Sequence, residues 1–63
     1  MNYLKLSSFV AINGFPVTKI GPFDSIAAVH DWYRRHGHKL EAAGVEESTI
    51  DVLVSPDEVA AGL

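Results

Sequence analysis

The sequence predicts a two-layer α+β domain of order ββαβ(α): a three-stranded sheet with one long helix on one face and a short C-terminal helix. Three observations predict it. Apolar residues alternate on both sides of Asn13-Gly14, the strongest short hairpin signal because both residues tolerate positive φ. From Val29 onward apolar residues recur at steps of four and three, the period of an amphipathic helix. The run Ser55-Pro56-Asp57-Glu58 has the residue order of a helix N-terminus. A chain of 63 residues holds one domain at most, so residues 1–63 are expected to form a single unit.

The first strand is expected over Tyr3 to Ile12, where Leu4, Leu6, Val10 and Ile12 fall at even spacing. The second is expected over Phe15 to Ile20. A two-residue loop then sets Ile12 opposite Phe15, Val10 opposite Val17 and Ser8 opposite Lys19. Strict alternation gives a core face of Leu4, Leu6, Val10, Ile12, Phe15 and Val17. The outer face collects Tyr3, Lys5, Ser7, Phe9, Pro16, Thr18 and Ile20. Pro16 lacks a backbone donor and belongs at an edge or a bulge. Gly21-Pro22 should end the strand, with Phe23 turning back onto the core.

Asp24 is the expected helix N-cap, with Ser25 as the alternative. The helical stripe is Val29, Tyr33, His36, Leu40 and Ala43, broadened by Ile26 and Trp32. Gly37 interrupts it at a cost of about 1 kcal/mol relative to alanine, and Arg34, Arg35 and His36 would suit a helix end there. The stripe nevertheless continues, so the helix is expected to reach Ala43. Gly44 then serves as the C-terminal cap, with Val45 touching Leu40. Thr49 to Val54 reads as the third strand, paired beside the first. The short helix should run from Pro56 to Ala61 and stop at Gly62.

Composition narrows the possible functions. There is no cysteine, which excludes disulfides and thiolate metal sites. A domain this small buries only about 60% of its unfolded surface, so self-association is a natural remedy. Phe9 to Ile12 is the longest apolar run near the start and is too short for a signal-peptide core. Nothing approaches the roughly 20 residues of a membrane span; a cytoplasmic protein with no membrane contact is expected. Charge is uneven. Residues 1–40 carry five bases against Asp24 and Asp31, a balance of +3, while residues 41–63 carry six acids and no base. Such a dipole favours charged partners or head-to-tail contacts.

The stretch from His30 to Lys39 concentrates the chemically versatile side chains. His30, His36 and His38 lack the i, i+4 spacing of a helical metal pair, so no metal or other cofactor is expected. Trp32, Tyr33, Arg34, Arg35, His38 and Lys39 combine aromatic and basic groups in the manner of a single-strand grip. If Tyr33 and part of Trp32 face the core, however, only four basic groups remain outside, on an acidic chain. The hydroxyl residues all fall in strand, cap or turn positions, and no nucleophile–base pair or phosphate loop is present, so no enzymatic activity is expected.

The segment "KIGPFDS" running into "IAAVHDWYRRHG" resembles a recurrent stretch of small bacterial proteins, especially those of actinobacteria and their phages. Gly21, Pro22, Phe23, Asp24, Ser25, Val29 and Trp32 carry the likeness, which spans Lys19 to Gly37. It carries no catalytic residue. It implies a small bacterial or bacteriophage accessory protein that acts by binding another protein, such as a host protein. The expected function is therefore a self-associating protein–protein interaction module, most simply a homodimer. Its surfaces would be the outer sheet face, with Tyr3, Phe9 and Ile20, and the basic helix side, with Arg34, Arg35 and Lys39. The alternative is a nucleic-acid-binding module that uses the basic side of the long helix.

Overall fold

The computed structural model describes residues 1–49 and 54–63. Strand β1 (Asn2–Ile12) and strand β2 (Phe15–Phe23) form a hairpin, followed by helix α1 (Ile26–His36) and a 3-10 turn (Gly37–Lys39). Strand β3 (Ala42–Glu47) and helix α2 (Pro56–Gly62) complete the chain. The sheet is antiparallel, in the order β2-β1-β3. The α+β architecture is as expected, but the strand beside β1 is Ala42–Glu47 and not the segment expected there.

The hairpin turn follows from its residues. Asn13 and Gly14 have φ of 50° and 84°, and the pairs Ile12–Phe15 and Val10–Val17 form as the loop length requires. Beyond them the register slips. The next pair is Lys5–Lys19, so Leu6, Ser7, Ser8 and Phe9 stand against Thr18 alone. Ser8 therefore does not face Lys19. Five steps of β1 match two of β2, and an odd slip exchanges inside and outside on the partner strand. Leu4 then pairs with Ile20, and both point into the core. β2 also runs through the cis Gly21-Pro22 bond to Phe23, beyond its expected end.

The core lies between the sheet and the helices, built from Leu4, Leu6, Ile12, Val17, Ile20, Phe23, Val29, Trp32, Leu40 and Val59. Four residues that periodicity placed on the buried side are instead at the surface: Phe15, 70% exposed beside the hairpin turn, Ile26 in the first turn of α1, and His36 and Ala43 of the helical stripe. Phe23 and Trp32 meet edge to face, with ring centroids 6.0 Å apart, a favoured aromatic geometry.

Ser25, not Asp24, caps α1: its Oγ accepts from the Ala28 N–H at 3.1 Å. Ser55 caps α2 in the same way, accepting from the Glu58 N–H at 3.2 Å, with Pro56 in the first turn. The long helix stops at His36, short of Ala43. The Tyr33 ring lies against Gly37, where an added Cβ would stand 2.2 Å from its Cδ1. The Tyr33 hydroxyl donates to the Leu40 carbonyl at 2.7 Å, and this bond holds the chain as it turns toward the sheet. Residues 42–47, expected to be helical or linking, thus become the third strand. Pairing with β1 outweighs the helical propensity of Glu41-Ala42-Ala43. Gly44, at φ 147°, sits where Ala43 is left over between the pairs Lys5–Gly44 and Leu6–Ala42, a bulge. Of the expected strand Thr49–Val54, Thr49 lies outside any strand, Val54 makes one parallel bridge to Ile20, and the residues between lie outside the described set.

Candidate interaction surfaces

The expected outer-face surface of Tyr3, Phe9 and Ile20 does not exist as a unit. Ile20 is fully buried in the core because of the register slip. Tyr3 does lie on the side away from Leu4, yet it too is 0% exposed. Its ring occupies the space that Gly21 leaves empty; a Cβ there would stand 2.6 Å from Tyr3 Cδ2. Only Phe9, 63% exposed, faces water. It belongs to the slipped stretch, past the last β1 residue paired with β3. On the same outer side, Lys19 Nζ meets Glu46 Oε2 at 2.7 Å across β1. That contact holds the Glu46 carboxyl below its ordinary value.

The basic helix side is real but divided. Asp31 ties up both arginines: Arg34 Nη2 donates to its Oδ1 at 2.7 Å, and Arg35 Nε lies 3.2 Å from its Oδ2. The Arg34 hydrogen bond, aided by the charge of Arg35, lowers the Asp31 pKa. Arg35 and Lys39, but not Arg34, join His36 and His38 around a hollow of about 170 Å³. Ala60 of α2 and Leu63 just after it close its other side, and among the described residues no acidic side chain lines it. The basic groups come together across the end of α1 and the 3-10 turn Gly37–Lys39. His38 and Lys39 stand three and four residues after Arg35, a spacing that keeps them on one side of a helix. The His36 ring meets Trp32 at a tilt, centroids 5.6 Å apart and planes at 48°, at one end of this arrangement.

A second concavity was not foreseen. A groove of about 270 Å³ runs between α1 and β3, over a floor of Leu4 and Val29. His30 and Tyr33 form one wall and Ala42 to Val45 the other. It exists because α1 packs mainly on β1 and β2 and because Ala42, Ala43 and Gly44 are too small to fill the gap. The run of small residues was visible in the sequence. Its meaning depended on knowing that these residues are a strand.

Among the described residues, no three His, Asp or Glu side chains gather as metal ligands, and no helix is long and apolar enough to cross a membrane. No protein-family model matches the chain, and no curated protein or solved structure is significantly similar to it.

Proposed function

We propose that the chain is a small protein-interaction module whose basic hollow receives an acidic side chain from another protein. The observation that carries this is the convergence of Arg35, His36, His38 and Lys39 on one hollow in a chain of net charge −3. Ligand pockets for whole small molecules run to about 300–1,000 Å³. This hollow is sized for one charged group on a larger partner. Charge-assisted hydrogen bonds from arginine or lysine to a carboxylate are the strong class of such contacts. The protein is proposed to bind and not to catalyse. The likeness of the Gly21–Ser25 junction to bacterial and phage proteins supports a cytoplasmic accessory role, on a host protein where the chain is phage-encoded.

Nucleic-acid binding at the same basic side is the competing proposal. It is weakened by the fate of the aromatic groups: Trp32 is buried, and the half-buried Tyr33 lies with its ring against Gly37, so no fully exposed ring stands beside the basic groups for base stacking. The test is titration of the isotopically labelled chain with an Asp/Glu-rich peptide and, separately, with a thymidine oligonucleotide. Peptide-induced shifts at Arg35, His38 and Lys39 are expected, and the variant carrying Arg35→Glu and Lys39→Glu should lose them. Tighter oligonucleotide binding that falls steeply with salt would favour the competing proposal. Silence with both probes would remove the site.

A further inference from the structure

The two edges of the sheet are treated differently by the fold. At β2, Ile20 bridges Val54 and the Gly21 N–H donates to the Val54 carbonyl at 3.1 Å, while α2 packs alongside. At β3, nothing among the described residues pairs with the outer edge. The helix layer also stops short of β3 and leaves the groove over Leu4 and Val29. An edge of unpaired backbone beside an apolar groove is the arrangement that strand addition uses: backbone hydrogen bonds hold the added strand, and side-chain pockets select it.

We propose that the occupant of this edge is a second copy of the chain, with β3 pairing antiparallel to β3 about a twofold axis to give a six-stranded sheet. Self-complementarity is written into the strand. With Val45 opposite Val45 of the second copy, Gly44 faces Glu46 and Ala43 faces Glu47, so no acid faces an acid. Parallel pairing in register would set Glu46 against Glu46 and Glu47 against Glu47. The antiparallel sense also lays the basic approach to each strand, His38 and Lys39, toward the acidic exit of the other, Glu46 and Glu47, which is the direction opposite charges prefer. The twofold brings α1 of each copy toward the groove of the other and covers the half-dressed side of the sheet. β3 is short and bulged, features that limit edge pairing, so a dimer that dissociates on dilution is expected, not an obligate one.

The pairing strand Ala42–Glu47 holds none of the hollow-lining residues, and the Ala43 substitutions leave the hollow untouched, so the two proposals can fail separately. The experiment is sedimentation velocity of the full chain over a wide concentration range, with substitutions at the exposed Ala43. Ala43→Glu puts acid opposite Glu47 twice across the twofold and should weaken the dimer roughly tenfold. Ala43→Lys puts a base there and should strengthen it, and Phe9→Asp should leave it unchanged. Melting of each variant confirms that the fold is retained. Amide exchange of β3 in the wild-type chain should slow as concentration rises. A monomer at every concentration would overturn the proposal. So would a dimer indifferent to both Ala43 substitutions, or one broken by Phe9→Asp.

Discussion

The β2 side and the β3 side of this sheet are built on opposite plans. β2 carries Val17, Ile20 and Phe23 into the core, receives Val54 on its outer edge and has α2 alongside, with Val59 fully buried. β3 contributes one half-buried apolar side chain, Val45, and presents Ala42, Ala43 and Gly44 to water. In a chain of 63 residues the packing is spent on one flank. The other flank is held by backbone pairing to β1 and by the Lys19–Glu46 ion pair. Stability therefore belongs to the β2 side, and freedom to meet another surface belongs to the β3 side.

Substitutions can break or sharpen this contrast. The largest effect is expected from Val29→Asp. Val29 is fully buried where the helix meets the sheet, and an unpaired charge there should abolish folding. A folded, soluble variant by circular dichroism would mean that the helix is turned differently on its axis. Next comes Gly37→Ala. Its Cβ would overlap the Tyr33 ring, and overpacking of this kind costs about 1–3 kcal/mol in chemical denaturation. Because the Tyr33–Leu40 bond directs the chain into β3, amide exchange in β3 should rise more than in β2.

The contrast is sharpened by a matched pair. Val59→Ala on the β2 side should cost about 2 kcal/mol. Ala42→Ser on the β3 side should stay within about 0.5 kcal/mol. Comparable losses would show that the two flanks are equally packed. The smallest effect is that of pH. The folded-state pKa values of Glu46 and Asp31 are lowered, chiefly by hydrogen bonds from Lys19 and Arg34 respectively. Their contribution is complete above the ordinary carboxylate pKa. It drains away as pH falls through the lowered folded values. Denaturation midpoints should fall on acidification through that range, and Lys19→Met should remove the Glu46 share of the slope.

Features set by neighbours in sequence were readable before the structure. The Asn13-Gly14 turn, the Ser55-Pro56 helix start, and the placing of Val29 and Trp32 on the buried stripe need only local geometry. Features set by distant contacts were not. Nothing near Gly37 says that residues 42–47 will pair with β1 at the other end of the chain, so the stripe seemed to run on to Ala43. Nothing near Tyr3 says that Gly21 will make room for its ring. The candidate surfaces inherited both kinds of information. Arg35 and Lys39 remained exposed beside His38, as helical spacing implied, but the far wall of the hollow, Ala60 and Leu63, followed from where the C-terminal segment packs. The groove followed from the third strand being Ala42–Glu47.

The slip between Lys5–Lys19 and Val10–Val17 also bears on how this chain can change its length. Which side of β2 is inside depends on whether the number of surplus residues opposite Thr18 is odd or even. Ile20 is thus assigned to the core by a count made on another strand. Adding or removing one residue within Leu6–Phe9 would turn one end of the hairpin inside out, whereas changes made in twos would preserve the burial of both Val17 and Ile20. Length variation in this stretch should therefore be tolerated by parity more than by size.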